Sequence, residues 1–269
     1  PAACTGTAAA GTITGNTATA GNGGGIAHTS TGVLVVQSAS VIGTAAAPNT
    51  ASGGNGAGIF AGGGDVTVNG SSITGASTFA APGTASAANG GGIAHTAGNL
   101  ILTSAAISGF HVSGDGGGLL ASSGGSVTIT GGSINGNYAD GNGGGIYHDG
   151  AGTLTLQTNA VVGTAAVPNA APNGNGAGIY QSGGALTISN TSITGPGTSA
   201  SHVAQQGGGI YNTSTLTVGS NSTISGHRVL NEGGGIYNSA AGTLDLQTNT
   251  TINGNRASVR GGGLYNAAA

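Results

Sequence analysis

The chain has 269 residues, and nine are charged: three Arg, five Asp and one Glu, with no Lys. An average soluble domain is about 25% charged, so a fraction of 3% excludes the basic stripe that nucleic-acid binding requires. A lone Cys4 excludes a disulfide framework, and no run reaches the ~18 apolar residues of a membrane helix.

Gly contributes 60 residues, without the three-residue period of collagen. Met is absent and no signal peptide is visible. Together these predict a processed chain, exported after loss of a signal peptide and resident outside the cell or on its surface. The net charge of −3 gives little electrostatic repulsion, so solubility is expected to come from a coat or from assembly.

Residues 1–22 begin partway through a repeat. Thr12-Ile13-Thr14-Gly15-Asn16 has the pattern of Thr251-Ile252-Asn253-Gly254-Asn255. A Gly-Gly-Gly-Ile signature, with some Ala or Leu variants, then starts at Gly23, Gly56, Gly90, Gly116, Gly143, Gly176, Gly207, Gly233 and Gly261. The spacings run from 26 to 34 residues. A recurrence of this length marks a stacked repeat architecture.

Each repeat carries three apolar segments. The first holds Ile26, Ile59, Ile93, Leu119, Ile146, Ile179, Ile210, Ile236 or Leu264. The second alternates, as in Val127-Thr128-Ile129 and Leu154-Thr155-Leu156. The third ends in Ile or Val before Gly: Ile42, Ile73, Ile107, Ile134, Val162, Ile193, Ile224 and Ile252. Strict alternation means a strand with one buried face, and Gly, Asn and Pro between the segments are turn residues.

No segment has a helical period. The expected fold is all-β: a right-handed, three-sided parallel β-helix of about nine rungs, folded as a single domain over residues 1–269. At ~4.8 Å per rung its length is on the order of 43 Å.

A longer period overlies the rungs. Residues 43–49, GTAAAPN, return as GTAAVPN at 163–169, and the GAGI variant at Gly56 returns at Gly176. Residues 23–142 and 143–260 are thus two copies of a four-rung block, flanked by partial rungs at 1–22 and 261–269. Ala/Pro/Gly/Asn-rich loops at 45–55, 76–89, 165–175 and 196–206 all precede the next Gly signature, so they are expected to protrude from one corner.

The GGGIYN strings at 207–212 and 233–238, followed by TLTV…STISG and TLDLQTNTTINGN, resemble the Gly- and Asn-rich repeats of bacterial surface β-helix proteins. Polymorphic outer-membrane proteins and related adhesin passengers belong to this group. The resemblance covers nearly the whole chain. It implies a right-handed parallel β-helix at a cell surface or outside the cell.

In a solenoid, equivalent positions form columns. The residue before each Gly signature is Asn22, Asn55, Asn89, Asp115, Asn142, Asn175, Gln206, Glu232 or Arg260, read as a structural amide column that ends in an ion pair between Glu232 and Arg260. Tyr147, Tyr180, Tyr211, Tyr237 and Tyr265 form an outward surface ladder, which either stabilises its own sheet or contacts sugar rings or a neighbouring rod. His28, His95 and His148 share the next column. They lie about two rungs or more apart, too far for joint metal ligation, and are read as turn residues.

Thr pairs such as Thr128/Thr130, Thr153/Thr155 and Thr215/Thr217 raise ice binding as a third function. The acidic residues Asp65, Asp115, Asp140, Asp149 and Asp245 are scattered, so no paired-carboxylate catalysis is expected. No metal or cofactor motif is present. Sequons at Asn69, Asn190, Asn212, Asn221 and Asn249 offer glycan attachment where the source glycosylates.

The terminal segments complete one another in length. Nine residues, 261–269, and the 22 of residues 1–22 make 31, within the observed repeat range. The expected partner is therefore the chain itself. Copies stack head to tail through Pro1, Ala2, Ala3, Cys4 and Ile13 of one copy and Gly261, Gly262, Gly263, Leu264, Tyr265 and Asn266 of the other, giving an extracellular filament. The alternative is a passenger segment of a surface adhesin that binds glycan or a host surface.

Overall fold

The computed structural model describes residues 11–77, 83–197 and 201–267, and every regular element among them is a β-strand. Three long parallel sheets run along the rod. The first contains nine three-residue strands from Ile26–His28 to Leu264–Asn266. The second has eight, from Leu34–Val36 to Thr243–Leu246, and the third has nine, from Thr12–Ile13 to Thr251–Asn253. Each strand pairs with its counterpart one repeat away, so the chain is a three-sided parallel β-solenoid of about nine turns.

The register follows the sequence columns. Ile146 pairs with Leu119 on one side and Ile179 on the other. Leu154 is flanked by Val127 and Leu186, and Ile134 by Ile107 and Val162. The inward residues of all three sheets form one continuous core. A single rung has no partner for its apolar face; stacking supplies it.

Every Gly signature opens with a left-handed residue. Gly143 has φ of +64°, and a Cβ there would lie 2.4 Å from the carbonyl oxygen of Ile146. Only glycine fits such a corner without strain. The middle position is less demanding: Ala57 and Ala177 occupy it, fully buried, in two rungs.

The long loops lie closer to the rod than their composition predicts. Ala51, Ala87, Ala170, Ala171, Val203 and Ala204 are buried. Isolated parallel bridges link Ala51 to Ala87, Ala87 to Val112, Ala171 to Ala204 and Ala204 to Val229. Two short sheets, His111–Val112 with Tyr138–Ala139 and Arg228–Val229 with Arg256–Ala257, extend this strip. A small second core of Ala177, Val203, Ala204 and Val229 forms beneath it in the second block. Small Ala side chains let these loops fold back onto the corner. The expected protrusion is therefore limited to parts of each loop.

Candidate functional site

The amide column is made of linked side chains. The Asn22 Oδ1 accepts from the backbone N–H of Asn55 at 2.8 Å, and Asn89 Oδ1 accepts from that of Asp115 at 2.7 Å. Asp115 Oδ1 accepts from the N–H of Asn142 at 2.6 Å, and Asn142 Oδ1 from that of Asn175 at 3.0 Å. At its far end Glu232 accepts from Gln206 Nε2 at 2.6 Å and from Arg260 Nη2 at 2.8 Å. These two hydrogen bonds, that from Arg260 foremost, hold the Glu232 carboxyl below its ordinary range.

The outward column of the first sheet reads Ala27, Phe60, Ala94, Leu120, Tyr147, Tyr180, Tyr211, Tyr237 and Tyr265. The first four tyrosine rings stack with centroids 4.9, 5.1 and 4.9 Å apart and planes within 5° of parallel. Tyr265 is tilted by 31° at 5.3 Å, and the guanidinium of Arg260 lies 4.7 Å from its centroid. All five rings are half-buried. Burial, reinforced by Asp149 and Asp115, pushes the Tyr147 phenol up to about 12. Because each ring covers its neighbour's face, the stack offers solvent its edges and hydroxyls.

The column after the tyrosines points into the core. His95, His148, Gln181, Asn212 and Asn238 are buried, each as the last residue of its strand, and Gln181, Asn212 and Asn238 hold the turn that follows by donating to the carbonyls of Gly184, Ser214 and Gly242. Asn212 Nδ2 donates to Asn238 Oδ1 at 2.6 Å, and Asn238 Nδ2 donates to Asn266 Oδ1 at 2.7 Å. His148 Nδ1 faces Gln181 Oε1. Burial lowers the pKa of both His95 and His148.

A second inward polar column went unread in the sequence. Asn49, Asn137, Asn169 and Asn255 each send Nδ2 to the carbonyl of the third-sheet residue one rung back: Ile13 at 2.7 Å, Ile107 at 3.3 Å, Ile134 at 2.7 Å and Ile224 at 2.9 Å. Their signal was present as Ile-x-Gly-Asn for Asn137 and Asn255 and as the Pro-Asn that closes GTAAAPN and GTAAVPN for Asn49 and Asn169. Each string looks like a turn until the corner side chain is turned inward.

The outward column of the second sheet reads Val35, Thr67, Ile101, Thr128, Thr155, Thr187, Thr217 and Asp245. Ile101 interrupts its threonines and Asp245 ends them. Asp140 lies 3.2 Å from His111 Nε2, while Asp149 accepts from Ser122, so these two carboxylates serve different partners. Among the described residues no three His, Cys, Asp or Glu side chains cluster as a metal site, and no helix is long and apolar enough to cross a membrane.

The end faces differ from the body. The second-sheet column Val68, Leu102, Ile129, Leu156, Ile188 and Val218 is buried, but its last residue, Leu246, is 41% exposed. Leu244, Ile252 and Leu264 beside it are half-buried. At the opposite end Ile26 and Leu34 are half-buried, and an apolar cavity of about 250 Å³ opens between Ile13, Ile26, Leu34, Val36 and Ile42. Of the expected assembly residues, Ile13 and residues 261–266 lie at these faces; Pro1, Ala2, Ala3 and Cys4 lie outside the described residues.

Compared with known proteins, the chain matches no family model, no curated protein and no solved structure.

Proposed function

We propose that the chain is a structural element of an extracellular fibre, sheath or matrix, built by end-to-end stacking of β-solenoid rods with a second copy supplying the next rung. The observation that supports this reading is the register: inside each of the three sheets a strand pairs in parallel with its counterpart one repeat before and one repeat after, so a rung of a second copy can pair in the same way. Among the described residues, the strands Leu264–Asn266, Thr251–Asn253 and Thr243–Leu246 have one strand neighbour apiece. Such edges template further strand pairing. A contact that repeats head to tail without closing gives a filament.

The surface suits this role. Identical charges stacked every ~4.8 Å would repel, and the chain has only nine charged residues. The polar columns provide register instead, since each rung can dock only where amide meets amide.

Electron microscopy of the purified chain tests the reading. Fibres much longer than one rod are the expected result, and deletion of residues 261–269 should leave short rods. Fibres that persist after the deletion, or a full-length chain that remains as single rods, would overturn it.

A further inference from the structure

Five of the six tyrosines stand in one stack, and the sixth, Tyr138, lies away from it against His111. The stacked rings are chemically alike, so a radical formed on one gains little by staying there. Their edges reach solvent, so a small oxidant has access. Two neighbours held this close meet at an effective concentration far above that of separate chains. Nothing in the solenoid requires so long a run of tyrosine: Ala27, Phe60, Ala94 and Leu120 fill the same column in the first block.

We propose that the tyrosine stack is an oxidative cross-linking site, in which a one-electron oxidant of the peroxidase–hydrogen peroxide class joins neighbouring rungs of the same chain through dityrosine bonds. Each of two adjacent phenols gives one electron to the oxidant and its O–H proton to water. The resulting phenoxyl radicals couple through their ortho carbons, forming one C–C bond. Each coupled carbon then loses its proton while the oxygen of the same ring regains one. The product is a biphenol lacking two hydrogen atoms, and the peroxide is reduced to water.

The stack sets the products. It contains four neighbour pairs, Tyr147–Tyr180, Tyr180–Tyr211, Tyr211–Tyr237 and Tyr237–Tyr265. The last is the least aligned, with the Arg260 guanidinium against the Tyr265 ring, so it should couple least. Along the rod the column continues from Tyr147 into Leu120, which ends the reactive run within the chain. This inference rests on the stack alone and is independent of end-to-end assembly.

The test is treatment of the folded chain with peroxidase and hydrogen peroxide at low protein concentration, followed by dityrosine fluorescence and peptide mapping. The expected result is a chain of unchanged single-chain size, lacking two hydrogens per bond, with joined peptides confined to the stack and none containing Tyr138. In Tyr211→Phe, which keeps the ring but not the phenol, joins to residue 211 should vanish while Tyr147–Tyr180 joins persist. Coupling that includes Tyr138 as readily as the stack, coupling only between separate chains, or hydroxylated tyrosine without coupling would each overturn the proposal.

Discussion

His227 occupies in the second block the corner that Phe110 occupies in the first. A Cβ on Gly91 would meet the Phe110 side chain at 2.5 Å, and one on Gly208 would meet His227 at 2.7 Å. The backbone N–H of Phe110 donates to Asn137 Oδ1 at 3.2 Å, and that of His227 to Asn255 Oδ1 at 3.0 Å. The imidazole adds a contact that phenylalanine lacks: its Nε2 lies 3.3 Å from the Ile193 carbonyl.

The His227 corner predicts an acid-sensitive stability. Burial pushes its pKa down from 6.5 to about 4, so the unfolded chain binds the proton more tightly than the folded one. Stability is fully present above the unfolded value and is lost progressively as pH falls from about 6.5 to about 4, by an amount on the order of 3 kcal/mol. Chemical denaturation across this range should show the decline, with His95 and His148 adding in the same direction. His227→Phe should have a shallower slope than the parent chain, and equal slopes would refute the assignment.

Gly143→Ala tests the left-handed corner. The added methyl meets the Ile146 carbonyl in the middle of the rod, where the corner has rungs on both sides. The expected cost is about 1–3 kcal/mol, read as a lower denaturation midpoint. Ala177→Gly, at the permissive middle position, should change the midpoint by less.

The internal Asn column should be costly to interrupt. Asn238→Ala removes one acceptor of Asn212 Nδ2, which also donates to the Ser214 and Thr243 carbonyls, and the donor to Gly242 and Asn266. A buried polar group left without its partner costs about 1–3 kcal/mol. Asn238→Leu should do no better, because the buried Gly242 carbonyl still loses the Asn238 Nδ2 donor and Asn212 Nδ2 is left with the Ser214 and Thr243 carbonyls alone. Denaturant titration of both variants gives the comparison.

Stacking can be separated from the phenol. Tyr211→Ala removes two ring contacts, each worth about 0.5–1.5 kcal/mol beyond area burial, and should lower stability accordingly. Tyr211→Phe keeps both contacts and should stay near the parent. Near-ultraviolet circular dichroism should show the coupled aromatic signal falling in the alanine variant.

The three sheets and their register were legible in the sequence because each apolar column recurs at nearly fixed spacing and alternates with polar residues. The tyrosine stack was legible for the same reason. The inward role of His95, His148 and Asn212 was not read, although the alternation that turns Tyr147 outward turns His148 inward. Chemistry obscured it: amides and imidazoles next to a turn look like turn residues, and only the closed cross-section shows that each ends its strand with the side chain inward. The loops resisted for a different reason. Ala51 and Ala171 belong to no periodic segment, and their burial comes from contacts with neighbouring rungs rather than from any local pattern.

The rung spacing has a mechanical consequence. Hydrogen bonds between parallel strands point along the rod, so tension on its ends loads them directly. A rung that peels away frees 26 to 34 residues, roughly 100 Å of extended chain, where it had occupied ~4.8 Å. A pulled rod therefore lengthens about twentyfold, coil by coil, before the covalent backbone is strained, and dissipates work at each step.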